Sequence, residues 1–351
     1  MPREFSNSTQ NTSLPLGGRQ TNRGTRPENT VNSQNAPPNA TGNETQIRPE
    51  TTEQREMNTH TPTKRRANIC IAMLNMNGAA APSERMDHID KWSTVNSMIR
   101  NNKIAILALQ ETHLDQNKLD DVKRCFGRNL DIHNSSNPNN LRGIAGVAIV
   151  LNKVLIAPKK IRFSILIEGR TIMIRINWSE TEEVTIVNIY APTNRQLQPP
   201  FWTQLDTERR RKRLPKPDFL LGDFNVTEEA IDCSPPKDNK RAVVEALRAL
   251  RITWNVQDQW HHDNPNSRIF THSHTNGRKH EHARLDRIYT AKKHDCWLFE
   301  WKANQLEVPT DHSVVSVKFA PKDAPLIGNG RWRHQENRNF LKVALSCLKL
   351  S

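Results

Sequence analysis

Nine residues of this 351-residue chain stand where apolar runs break off into polar ones. Asn75 and Asn77 lie in "LNMNG", Glu111 in "LQETH" and Tyr190 in "NIYAPT". Asp223 and Asn225 lie in "LGDFN", Asp286 in "ARLDRIYT", and Asp311 with His312 in "PTDHSVV". A single Asp at such a place is more often a turn or a cap than a catalyst. Six stations of this kind in one chain call for a common explanation. Carboxylate and amide oxygens without cysteine suit a hard cation such as Mg²⁺, which one or two carboxylates hold while it keeps several waters. A His paired with an Asp is kept oriented and cationic, ready to donate to phosphate oxygens. A further Asp beside an amide can take a proton from an attacking water. Together these are the parts of phosphodiester hydrolysis.

The elements that must carry them follow from hydropathy pattern. "PDFLLGDFN" is a short apolar run ended by Gly, a buried strand opening into a loop. Alternation along a strand puts Asp223 and Asn225 on one side and sends Phe224 back into the core. "ANICIAMLNMNG", "KIAILALQETH", "GIAGVAIVLNK", "IRFSILIEG", "RTIMIRINW" and "EVTIVNIYAPT" read as further strands. "SRIFTHS", "ARLDRIYT", "CWLFEWKA" and "HSVVSVKFA" close the series. Helical spacing appears at Met86, Ile89, Val95 and Ile99, with Ser83 as N-cap. "PPFWTQLDTERRRKRL" reads as a helix and "NKRAVVEALRAL" as a short amphipathic one. Runs of strands predict antiparallel pairing, and the helices predict outer layers. The expected architecture is a four-layer α/β (α+β) sandwich: two mostly antiparallel β-sheets flanked by helices.

Composition sets the surroundings. Lys and Arg number 51 against 37 Asp and Glu, a formal net charge of +14, which favours a polyanionic partner. Residues 1–66 are polar with almost no large apolar side chains and read as a disordered tail. Residues 67–320 hold the folded domain, and 321–351 a Gly- and Arg-rich connector. Five scattered cysteines without a C-x-x-C pair fit a reducing compartment. No apolar run approaches the roughly 18–20 residues of a membrane span, and the N-terminus lacks a signal-peptide core. The expectation is an intracellular protein, acting in the nucleus and not on membranes.

The ordered series "LNMNG … LQETH … NIYAPT … LGDFN … RLDRIY … TDHS" resembles the endonuclease/exonuclease/phosphatase superfamily, which includes deoxyribonuclease I and the apurinic/apyrimidinic endonucleases. Within it, the chain looks most like the endonuclease domains of non-long-terminal-repeat (LINE-type) retrotransposons. The Asn-x-Asn-Gly form of the first motif, "QETH", "DFNVTEEAID" and the "GNGRWR" connector point there. The resemblance implies a deoxyribonuclease I-like fold and a Mg²⁺-dependent endonuclease, with Mn²⁺ as an alternative ion. Such an enzyme nicks double-stranded target DNA and leaves a 3′-hydroxyl that primes reverse transcription. It further implies Asn75, Glu111 and Asp311 at the metal, and Asp223 activating water. Asn225 would position that water or the phosphate. His312, oriented by Asp286, would stabilise the pentavalent phosphate, and Tyr190 would bond a phosphate oxygen. Asn77, where many repair enzymes carry Asp, removes one charge and leaves the first metal position intact.

The chain carries no Tyr-x-Asp-Asp polymerase signature, so it reads as a truncated product, a fragment or a free-standing endonuclease frame, with a reverse transcriptase domain or element RNA outside it as the expected partner. Asn77, Arg142 and the run Arg209, Arg210, Arg211 are candidate DNA-phosphate contacts, against the plainer reading of solvated arginines. The histidines of "THSHTNGRKHEH" (His272, His274, His280, His282) sit on an expected hairpin loop with no cysteine partner, a loop that meets DNA rather than zinc. Alternatives stay open: an abasic-site repair endonuclease, another phosphoesterase of the superfamily, or an inactive nucleic-acid-binding relic.

Overall fold

The computed structural model describes residues 65–77, 88–137, 145–156, 160–177, 183–237, 240–276, 279–305, 308–320, 324 and 326–327. Ser83, Met86 and Arg142 lie outside the described residues, as do nearly all of the expected tail and connector. In chain order the first elements are β1 (Arg65–Arg66), β2 (Ile69–Asn75), α1 (His88–Asn101), β3 (Ile104–Gln110), α2 (Gln116–Phe126), β4 (Leu130–Ser135) and β5 (Val147–Asn152). Then come β6 (Ile161–Ile167), β7 (Thr171–Asn177), β8 (Glu183–Tyr190), α3 (Gln198–Arg211), β9 (Phe219–Asp223) and β10 (Cys233–Ser234). The last are α4 (Arg241–Trp254), β11 (Val256–Gln257), α5 (Gln259–Asp263), β12 (His272–Asn276), β13 (Lys279–Ala283), β14 (Asp286–Ala291), β15 (Leu298–Asn304), β16 (Val314–Phe319) and β17 (Leu326–Ile327).

Two six-stranded sheets result, in the orders β15-β16-β2-β3-β5-β4 and β11-β14-β9-β8-β7-β6. Ile71, Met73 and Ile149 of the first sheet and Ile174, Ile186 and Leu221 of the second share one buried cluster between them. The outer face of the first sheet packs on Trp92, Val95 and Ile99 of α1 and Val122 of α2. The outer face of the second packs on Phe201, Trp202 and Leu205 of α3 and Leu247, Leu250 and Trp254 of α4. Four layers, helix–sheet–sheet–helix, follow directly from strands that are apolar on both faces.

Pairing is antiparallel except at the two sheet centres, where β2 pairs β3 and β8 pairs β9 in parallel. Each parallel pair is joined by a crossing helix, α1 or α3, as parallel geometry requires. This arrangement gathers the polar stations. The C-terminal ends of β2, β3, β8 and β9 lie together at one edge of the sandwich. The antiparallel neighbours β14 and β16 begin at that same edge, with Asp286 opposite Asp223 in register.

Several elements have no counterpart among the expected ones, α2 and β4 the longest of them. α2 is an amphipathic helix that buries only Leu119 and Val122, capped by Asp115, which accepts from the Lys118 amide at 2.9 Å. β4 reads "LDIHNS", too polar to mark itself as a strand. α4 runs four residues past its expected end, because Trp254 buries against the outer core, and stops at Asn255 with φ +57°. The "SRIFTHS" strand is shifted: β12 starts only at His272 and pairs with β13 as a hairpin.

Candidate active site

Asn75 ends β2 and is fully buried. Its amide nitrogen donates to Glu111 Oε1 at 3.0 Å and to Asp223 Oδ2 at 2.9 Å, and so ties the two sheets' stations together. Its oxygen accepts the Asn77 backbone N–H at 2.9 Å. Asn75 thus bridges two carboxylates, while its oxygen accepts from its own loop and keeps a second lone pair for the expected metal. Asn77 is likewise drawn inward, donating to Asp311 Oδ1 at 2.8 Å, rather than facing outward as a phosphate contact.

Asp223 is 1% exposed at the end of β9. The "GDFN" segment turns as its Asp and Asn predict, with the carboxylate left among the gathered strand ends. The Asn225 N–H donates to Asp223 Oδ1 at 2.9 Å, which closes an Asx turn, and the Asn225 side chain reaches Asp223 Oδ2 at 3.2 Å. Asn225 takes φ +50° to do this. Phe224 turns the opposite way, against Trp202 and Tyr289 in the outer core. Burial, and then the neighbouring Asp286 charge, push the Asp223 carboxyl up to about 7.

His312 Nδ1 meets Asp286 Oδ2 at 2.8 Å. Burial opposes a charged imidazole here, but the Asp286, Asp223 and Asp311 carboxylates outweigh it and raise His312 to about 10. Asp286 is held in turn by Thr271, whose hydroxyl accepts the Asp286 N–H at 3.0 Å. Burial would raise Asp311 as well, yet hydrogen bonds from His272 and Asn77 and the His312 charge hold it well below the usual carboxylate range.

Glu111 follows β3 with φ +49°, a left-handed backbone unusual for Glu. The Tyr190 hydroxyl, raised by burial and by the Glu111 charge, hydrogen-bonds Glu111. The Arg170 guanidinium stacks 4.6 Å from the Tyr190 ring centre. Two buried amides keep the sheets in step behind this contact. Gln110 donates to Asn188 Oδ1 at 2.6 Å, and Asn188 donates to the Leu109 and Ala148 carbonyls at 2.9 Å each.

The structure thus gathers Asn75, Asn77, Glu111, Tyr190, Asp223, Asn225, Asp286, Asp311 and His312 around one edge. It adds Lys91 and Thr310, which sequence reasoning missed, and His272, which it had placed on a loop apart from these stations. Lys91 of α1 donates to the Met76 and Asn77 carbonyls, lies near Glu111 and Asp311, and is lowered by burial. Thr310 donates to the Asn75 carbonyl at 2.8 Å and fixes the Asp311 loop to β2. His272 meets Asp311 Oδ2 at 3.2 Å. Thr271 and Thr310 stood one residue from singled-out positions; Lys91 gave no signal.

The arginine run does not join them. α3 starts at the site, where Gln198 donates to the Asn225 carbonyl at 2.9 Å, and runs away from it for 14 residues. That is about 20 Å of helix. At the far end Arg209 and Arg210 pair with Asp206, and Arg211 with Glu208. Arg209, Arg210 and Arg211 thus make ion pairs within their own helix, away from the gathered strand ends.

Glu111 and Asp311 offer oxygen donors and lie beside carbonyls and amides, not thiols. That chemistry fits a hard divalent ion. The described residues also include the acid–histidine groups Asp223–Asp286–His312 and His272–Asp311–His312.

Comparison with known proteins agrees with this geometry. A model of the "Endonuclease/Exonuclease/phosphatase family" matches residues 74–319. "Transposon TX1 uncharacterized 149 kDa protein" of Xenopus laevis is 25% identical over 271 residues, 77% of this chain; the chain spans only 19% of that protein. Among solved structures, the endonuclease domain of TRAS1, a telomere-specific non-LTR retrotransposon, aligns with TM-score 0.52 and 13% identity over 73% of this chain and 100% of its own. An AP endonuclease from Archaeoglobus fulgidus aligns with TM-score 0.55 and 21% identity, over 72% of this chain and 100% of its own. A 3′–5′ exonuclease from Neisseria meningitidis reaches TM-score 0.57 and 21% identity, over 72% and 100%. The expected deoxyribonuclease I-like sandwich is borne out.

Proposed function

The chain belongs to the endonuclease/exonuclease/phosphatase family of phosphoester hydrolases, and from that premise we propose that it is the DNA endonuclease of a retrotransposon. It nicks nuclear target DNA and leaves a 3′-hydroxyl for a reverse transcriptase to extend. The observation that carries this reading is the Asp223–Asn75–Glu111 bridge beside the His312–Asp286 pair. The +14 charge and the likeness to the Xenopus transposon protein support DNA as substrate.

Glu111 and Asp311 would hold Mg²⁺, which when bound lends positive charge to the phosphate oxygens. Asp223 accepts a proton from water as that water attacks phosphorus, with Asn225 fixing the carboxylate's orientation. His312, protonated and pinned by Asp286, donates to the oxygen on which negative charge grows. Tyr190 holds Glu111 in place through its hydroxyl. The P–O3′ bond breaks, the 3′ oxygen takes up a proton, and the 5′ side keeps the phosphate.

The likeness to an AP endonuclease favours abasic-site repair as the second reading. Three substrates decide between them: supercoiled plasmid, an abasic duplex and an inositol phosphate. The retrotransposon reading expects nicking of undamaged plasmid at rates at least comparable with abasic incision. Cleavage confined to the abasic duplex, or dominant release of inorganic phosphate from the inositol, contradicts it.

A further inference from the structure

His272 belongs to the hairpin that the proposed reaction does not use, yet the fold carries it to the catalytic edge. Its Nε2 lies 3.2 Å from Asp311 Oδ2, and its ring centre 4.7 Å from that of His312. The placement is set by backbone. His272 bridges His312 as a β-pair, the Ser273 N–H donates to the Asp311 carbonyl, and the Ser313 N–H to the Thr271 carbonyl. One ligand atom from each of His272, Asp311 and His312 falls within 4.8 Å of the others.

Two imidazoles and a carboxylate form the donor set that zinc prefers, whereas Mg²⁺ favours oxygen alone. Tetrahedral zinc places neighbouring ligand atoms roughly 3.3 Å apart. The His272–Asp311 separation already has that value within 0.1–0.2 Å, at 3.2 Å. His312 Nε2 lies 3.9 Å from the carboxylate's other oxygen, Oδ1, so the ion would bind once Asp311 turns or spans it with both oxygens. An outer layer of supports is also built. His312 Nδ1 is taken by Asp286, which leaves Nε2 for a metal and forms the carboxylate–histidine–metal relay. Asn77 orients Asp311 from behind. The Asp311 side chain is 35% exposed, so a cation and a fourth, water ligand have a way in.

We propose that His272, Asp311 and His312 form a second cation site, selective for a borderline transition metal of the Zn²⁺ kind, whose filling shuts off the Mg²⁺-supported reaction. Shut-off follows because the ion takes Asp311 from the first metal position and takes from His312 the nitrogen that faces the phosphate. The binding stands apart from the hydrolytic reading; the shut-off rests on it. Binding displaces the His312 proton and is therefore compared at one fixed pH.

The test uses the full chain with Co²⁺ as a coloured probe and Zn²⁺ as competitor. Wild type should take up one equivalent of Co²⁺ with visible absorption, displaced by one equivalent of Zn²⁺ and resistant to excess Mg²⁺. His272→Gln, which keeps size and polarity, should bind Co²⁺ about tenfold or more weakly. His274→Gln, altered two residues along the exposed strand, should bind like wild type. Co²⁺ spectra that are the same in wild type and His272→Gln overturn the site, as does an absorption lost equally in His274→Gln. In plasmid nicking, each variant is scored against its own Mg²⁺ rate. Zn²⁺ should stop wild type at concentrations that leave His272→Gln running; equal inhibition of both overturns the shut-off. If nothing is nicked while the Co²⁺ spectra behave as expected, the site stands and the hydrolytic reading falls.

Discussion

At neutral pH His312 carries its proton, while Asp223 stands near the midpoint of losing its own. That pair of states makes the rate pH-dependent in a defined sense. Activity needs Asp223 ionised and His312 protonated. So kcat/KM should rise as pH passes about 7 and fall as it passes about 10. A rate that stays flat through neutral pH contradicts the assignment of Asp223 as base. Asp286→Asn removes the largest charge that raises His312, so the alkaline limb should move to lower pH in that variant. Asp223→Asn and His312→Ala should each lower kcat by about 10²–10⁴-fold. Wild-type melting temperature should fall as pH rises through about 7, and Asp223→Asn should remove that fall. The folded carboxyl is raised from 3.8 to about 7, so its contribution to stability is full below 3.8 and is lost as pH rises through about 7. The amide never ionises, and each 1 kcal/mol lost by wild type is about 2–4 °C in a domain of this size. The site carboxylates, Tyr190 and His312 were legible because acids and imidazole at the ends of apolar runs break the local pattern. That Asn75 bridges two carboxylates was not legible, because hydrogen-bond direction is not written in residue type. Lys91 was invisible and His272, although noted on its loop, could not be assigned to the site, because they reach it from segments 220 and 39 residues from Asp311 and only the fold brings them there.

The elements work as two strand–helix–strand units placed back to back. The parallel pairs β2–β3 and β8–β9 send four strand ends to one edge, and Gly222 lets the second pair close. It holds φ +141°, and a Cβ there would meet the Ile189 carbonyl oxygen at 2.0 Å. Gly222→Ala should therefore cost about 3 kcal/mol, read as a lower urea midpoint with an unchanged slope. The Gln110–Asn188 pair keeps the two sheets in step. Asn188→Leu alone should cost about 1–3 kcal/mol by stranding buried partners, and Gln110→Leu added to it should recover part of that loss. Additive losses in the double variant would contradict a direct coupling. The central strands were legible because both faces are buried and the sequence runs apolar. α2 and β4 were not, since α2 buries just two side chains and β4 is half polar. Parallel pairing at the centres was hidden too, because a crossing helix marks it only when the strand order is already known.

Across the whole molecule, the positive balance favours a polyanion but does not say which arginines touch it. Arg210 and Arg211 face acids of their own helix at the end of α3 remote from the site. Replacing both by Ala should change the salt slope of duplex binding by less than the roughly 0.9 expected for one phosphate contact, read from affinity at several salt concentrations. A loss of two contacts' worth would restore the arginine run to the interface. The central claim is that the gathered strand ends make one metal-supported hydrolytic centre. The most direct measurement is conversion of supercoiled plasmid to open circles by wild type and by Asp223→Asn, with Mg²⁺ and with chelator. A polymerase extension of the nicks follows. The account predicts open circles from wild type with Mg²⁺ only, almost none from Asp223→Asn, and nicks that extend directly from a 3′-hydroxyl. Equal nicking by both proteins, nicking that survives the chelator, or ends that need a phosphatase before extension would contradict it.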